Sequence, residues 1–221
     1  MVLRRCISSL NYSGMHFFSS YFMEKLRREK EPFPQFSYSD VCRWGKPSGG
    51  LFKLRELHVP INKKNLHWLS LRVIFEMNRI ELRDSYGFHE SNRQYLEDMC
   101  RYLFHEKHSP TTVSEDSVEF VQWKRDWTLV DESENCPHQE NDDDCGLFMI
   151  IFIYLLAHGV KLNSSTFSQT LLYSHNTRTR LAFITLKSAL IPSKEVSSNV
   201  RKSDDYSVSQ CCCIICLRLL S

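Results

Sequence analysis

The chain has 221 residues, 42% of them hydrophobic and 24% charged, with a formal net charge of +2. That length suits one domain with a tail, and the composition is that of a globular protein rather than a disordered one. So small a net charge excludes an electrostatic case for nucleic acid as the partner.

The first 14 residues read as a ragged start, with Arg4, Arg5 and several serines ahead of the first acidic residue, Glu24. Residues 15–29 carry Phe17, Phe18, Tyr21, Phe22 and Leu26 at helical spacing, which predicts a helix stopped by Pro32 and Pro34. Its Lys25–Lys30 cluster reads as a solvated face. A short helix is expected around 38–44, closed by Gly45, Pro47, Gly49 and Gly50. Leu57, Val59 and Ile61 alternate as in a strand. A second strand starts near His67 and runs through Leu69, Leu71, Val73 and Phe75. It turns at Met77-Asn78 and returns through Ile80 and Leu82 to Asp84. Antiparallel pairing of the two brings His67 and Asp84 to one end of a hairpin.

Residues 91–107 carry Tyr95, Leu96, Met99, Cys100, Leu103 and Phe104 at the spacing of an amphipathic helix. His105 and His108, one turn apart near its end, read as solvent-exposed because no third ligand for a metal is in view. Residues 118–123 and 127–131 are expected as two short strands. The apolar run at 147–157 is too short to span a bilayer and reads as a buried helix that begins near Cys145. A last helical region is expected within 167–190, then a polar tail from 193 that ends in the cysteine-rich stretch at 211–216. Nine cysteines, an odd number at irregular spacing without an evident signal peptide, favour reduced thiols. The Cys213/Cys216 pair leaves a metal site, palmitoylation and a nonfunctional extension all open. Strands flanked by helices at both ends of the chain give an α+β architecture.

The chemistry concentrates around Cys145. A cysteine between Asp144 and Gly146, at the start of a buried helix, sits where the positive end of the helix dipole favours thiolate over thiol. His67 and Asp84 supply a base and an orienter, giving the order His, Asp, Cys of a thiol-hydrolase triad recognised by role. In such a triad Asp84 accepts the His67 Nδ1 proton and leaves Nε2 facing Cys145.

Six segments in register extend this reading: Arg43-Trp44, Leu57-His-Val-Pro-Ile-Asn-Lys63, Leu66-His-Trp68, Arg83-Asp-Ser85, Gln139-x-Asn141 and Asp144-Cys-Gly-Leu-Phe148. In these the chain resembles the SUMO-specific, Ulp/sentrin-type cysteine proteases that act on ubiquitin-like modifiers, over roughly residues 15–190. The resemblance implies a papain-like α+β fold with a small central mixed sheet, and a protease domain over 15–192 followed by a tail at 193–221. It implies Cys145 as nucleophile, His67 as general base, Asp84 as its orienter and Gln139 as oxyanion donor. Trp68 would cover the substrate's Gly-Gly tail, and the Trp44 region would help grip the modifier. The implied reaction is hydrolysis after the C-terminal Gly-Gly of a ubiquitin-like modifier, with SUMO the favoured one, by a monomer needing no cofactor or metal. Nucleic acid and membranes are not expected partners, and the nucleus is the expected location, with the cytoplasm as alternative. The family's opening Trp-Leu helix has no counterpart before Tyr12, and Asp142 stands where the family commonly has glycine. The first departure keeps a second reading open, a truncated, catalytically impaired binder; a third is a protease for another ubiquitin-like modifier.

Overall fold

The computed structural model describes residues 14–28, 35–44, 49–108 and 117–174. Residues Ser13–Thr166 make one compact unit, while the described residues from Phe167 onward belong to a second. In the first unit a five-stranded mixed sheet has the order β1 (Met15–Phe17), β2 (Glu56–Lys63), β3 (His67–Ile74), β4 (Arg79–Asp84) and β5 (Thr128–Asp131). The central three strands are antiparallel and the two edges run parallel to their neighbours. The helices are α1 (Tyr21–Leu26), α2 (Arg93–His108), α3 (Val118–Arg125) and α4 (Cys145–Ala157). In the second unit α5 covers Gln169–Ser174, and the rest of the helical region expected there, like the cysteine-rich tail, lies outside the described residues.

The alternation of β2, β3 and β4 separates two faces. Register sets Leu57 against Val73, Val59 against Leu71, and Leu71 against Leu82, so these side chains share one face. All are fully buried, in one cluster with Phe22, Met23 and Leu26 of α1 and Tyr95, Met99, Tyr102 and Leu103 of α2. The other face is polar, yet it too is shielded from water. There Arg72 Nε donates to Glu56 Oε2 (2.8 Å) and His58 Nε2 to the same oxygen (3.2 Å), while Arg83 Nη2 forms an ion pair with Glu81 Oε2 (2.9 Å). Arg79 joins Glu81 to Glu132. Burial opposes the charge on Glu56, but His58 and Arg72 outweigh it and bring its carboxyl down to about 2. Burial also holds His58 below its ordinary value, against the pull of Glu56.

Three sequence expectations are corrected. Among the described residues of the helix expected over 15–29, only Tyr21–Leu26 are helical; Met15–Phe17 instead pairs with the free edge of β2, where Phe17 stacks on His58 at 5.1 Å. Three residues are too few to tell a period of two from one of 3.6, and edge pairing decides. Residues 118–125 form a helix rather than a strand. Ser117 caps it by accepting from Phe120 N (3.2 Å), Glu119 sits in its first turn, and Lys124 and Arg125 in its last. His105, expected in solvent, is buried against Tyr38 (5.0 Å) and Phe36 (5.6 Å), and burial lowers its pKa; His108 is exposed as expected.

Candidate active site

The β3–β4 hairpin sets the first half of the site. Asp84 lies opposite Leu69, on the same face as His67 and two residues further along β3. That offset is about 6–7 Å along the strand, and the far nitrogen of the imidazole spans it: His67 Nε2 meets Asp84 Oδ1 at 2.6 Å. The ring nitrogens therefore exchange the roles expected from sequence. His67 Nδ1 has no hydrogen-bond partner among the described residues and is the nitrogen left for proton transfer.

The Asp84 carboxylate is fully employed. Oδ1 also accepts from Tyr86 N (2.9 Å) and Oδ2 from Asn92 Nδ2 (2.8 Å). Burial pushes its pKa up, but His67 and these donors outweigh burial and hold it below the usual value. Asn92 is itself fully buried at the entry to α2, and its Oδ1 accepts from Lys63 Nζ (2.9 Å). A chain of contacts thus runs Lys63–Asn92–Asp84–His67. Asp84 N also donates to Ser133 Oγ (2.9 Å). Asn92 and Ser133 carry no sequence signal of their own, and Lys63 stands in a resembling segment that does not reveal this contact, because each acts through a fold-dependent contact.

The second half of the site is the 139–145 connection. Gln139 is buried; its backbone N donates to Ser85 O (2.9 Å), its Oε1 accepts from Ser85 Oγ, and its Nε2 donates to Asn141 O. One amide hydrogen stays uncommitted among the described residues, since a carboxamide carries two. Asn141 Oδ1 accepts from Asp143 N (3.3 Å) and Asp144 N (3.2 Å), while its Nδ2 donates to Asp144 Oδ2 (3.0 Å). This turn delivers the chain into α4, whose first residue is Cys145, 6% exposed.

Trp68 ties the two halves together. A Cβ on Gly146 would lie 3.3 Å from its indole, so the missing side chain lets the ring rest against the first turn of α4. Trp44 is half-buried and packs with the main core, as do Trp123 and Trp127. Cys42, Cys100, Cys136 and Cys145 are free thiols. Burial raises Cys100 and Cys136 to about 12, so neither is a competing nucleophile at neutral pH.

The arrangement has the parts of a thiol hydrolase: a cysteine at a helix N-terminus, an imidazole oriented by a carboxylate, and an amide beside them. Residues 2–190 match the model of the Ulp1 protease family, C-terminal catalytic domain. The chain belongs to this family. Sentrin-specific protease 5 of Mus musculus is 33% identical over 149 residues, 65% of this chain and 16% of that protein. Ubiquitin-like-specific protease 1A of Arabidopsis thaliana is 24% identical over 150 residues, 66% of this chain and 27% of its own length. The chain thus spans a minor part of these curated relatives. Among solved structures, the C-terminal Ulp1 protease domain in complex with Smt3, the yeast ortholog of SUMO, superposes with a TM-score of 0.60 at 22% identity, covering 86% of this chain and 75% of that one. Ulp1 with its catalytic cysteine oxidised to a sulfonic acid gives 0.57 at 19% identity, over 89% and 78%. These likenesses establish the Ulp-type α+β fold.

Proposed function

We propose that the protein is a thiol protease that hydrolyses the peptide or isopeptide bond after the C-terminal Gly-Gly of a ubiquitin-like modifier, SUMO being the favoured one. The observation that carries the reading is the 2.6 Å His67–Asp84 pair on the hairpin whose Trp68 lies against the Cys145 helix. Cys145 is the nucleophile, His67 takes its proton through Nδ1 and returns it to the leaving amine, and Asp84 orients the ring. The uncommitted Gln139 amide hydrogen and the Cys145 backbone N–H hold the oxyanion. Trp68 forms one wall of a slot narrow enough to demand glycines. The SUMO-bound Ulp1 domain among the similar folds, and the sentrin-specific relatives, support the substrate. The Trp44 region belongs to the modifier-gripping surface, no metal or cofactor takes part, and the chain works as a monomer in the nucleus.

Reaction of the purified protein with ubiquitin-like modifiers bearing a C-terminal electrophile tests the reading, with Cys145→Ala as control. An adduct with SUMO that is absent from the variant is expected. No adduct with any modifier from folded protein overturns it, and an adduct with a different modifier corrects the substrate. Imaging of the tagged chain in cells tests the nuclear location.

A further inference from the structure

Asp142 follows the Asn141 turn, and the structure gives its side chain a partner. Tyr86, two residues beyond Asp84, lays its ring on the His67 imidazole, with centroids 4.6 Å apart and planes inclined by 26°. Its hydroxyl then donates to Asp142 Oδ1 at 3.0 Å. Tyr86 is rooted in the hairpin half of the site, since its backbone N donates to Asp84. Asp142 belongs to the connection that carries Gln139 and leads into Cys145. The buried Ser85–Gln139 pair already joins the halves from below; the exposed Tyr86–Asp142 pair joins them again beside the imidazole. We propose that Tyr86 and Asp142 form a clasp between the two halves of the site, in which the phenol ring covers one face of His67 and holds the imidazole in its working plane.

Both are positioning residues, and this role in turnover rests on the protease reading given above. A phenol with an ordinary value near 10 already keeps its proton at physiological pH, and partial burial together with the Asp142 carboxylate shifts Tyr86 further up, to about 12, so its hydroxyl stays a donor. A methionine or leucine at residue 86 would cover the ring without tying it to the opposite half.

The test joins kinetics with a measurement that needs no turnover. With SUMO carrying a C-terminal fluorogenic amide, Tyr86→Phe and Asp142→Ala should each lower kcat by about two- to tenfold, the range for one hydrogen bond expressed in a transition state, with KM unchanged. The double variant should be no worse than either single one, and Asp142→Asn, which keeps an acceptor oxygen, should restore most of the rate. Additive losses, or a change in melting temperature with kcat intact, overturn the clasp. Independently, NMR of the full chain should show the His67 ring protons displaced upfield by the phenol ring, the displacement collapsing in Tyr86→Leu and shrinking in Asp142→Ala. Its absence from folded wild-type protein overturns the clasp even if the enzyme is active. Its presence in a protein that fails to react with any modifier leaves the clasp standing and removes the protease reading instead.

Discussion

His67 and Asp84 stand on adjacent strands whose backbones are paired residue by residue, whereas Gln139 and Asn141 stand on a connection shaped by their own side-chain hydrogen bonds. On the hairpin, strand pairing builds the backbone, and Asp84 adds hydrogen bonds from Tyr86 N and Asn92 Nδ2 to it. On the connection, the side chain that would do chemistry also makes the turn. The difference sets the expected pattern of damage: substitutions on the hairpin should slow turnover while the strand pairing holds, and substitutions on the connection should also disturb the backbone turn.

Asp84→Ala is the strongest probe of the hairpin. Turnover should fall by about 10⁴-fold, as when a triad carboxylate is lost elsewhere, with far-UV circular dichroism unchanged; a collapse of the fold would erase the proposed distinction. Gln139→Ala should cost about 10²–10³-fold in kcat and also lower the melting temperature, because Ser85 Oγ and Asn141 O lose their buried partner. A rate loss with no change in melting would show that the Gln139 side chain is not needed to shape the connection. Asn92→Ala removes one hydrogen bond to a carboxylate and should cost about 10- to 100-fold in kcat, with Lys63→Ala milder because it acts one step further away. Equal losses in the two would show that the ammonium, not the amide, governs Asp84.

The smallest effect is on stability against pH. Asp84, Glu56 and Glu81 have folded-state values depressed below their unfolded ones. Their contribution is complete above the unfolded carboxyl range near 4, and is lost as pH falls through the folded values, which for Glu56 is about 2. His58 is also depressed, so its contribution is present above about 6.5 and declines as acid protonates the unfolded chain first. All four act in one direction. Chemical denaturation should show stability falling in two stages, a shallow one beginning near pH 6.5 and a steeper one below pH 4. In Glu56→Gln the steeper stage should flatten.

The hairpin was legible in the sequence because its alternation, its turn at Asn78 and the placement of His67 and Asp84 all report one antiparallel pairing, in which Asn78 takes the left-handed conformation at φ 45°. The Cys145 helix was legible for a similar reason, as an apolar run long enough to exclude a strand. What stayed hidden is non-local. Residues 118–123 alternate well enough for a strand, but a serine cap and charges suited to the helix ends prevailed. The choice of imidazole nitrogen depends on a two-residue register offset that no motif states. Tyr86 gave no signal at all, since its importance lies in a partner 56 positions away. The charged face of the sheet was missed because arginine and glutamate in a strand ordinarily mark the solvent side.

The indole of Trp68 resting on Gly146 bears on how such a chain can change over generations. A methyl group at residue 146 would stand 3.3 Å from the indole, so the two positions are not independent variables. Alanine there asks the ring to yield a few tenths of an ångström, and a branched side chain asks more than a ring packed on a helix can give. Bulk added directly after Cys145 would therefore call for a smaller or displaced side chain at residue 68. The packing couples two positions that lie 78 residues apart in the chain.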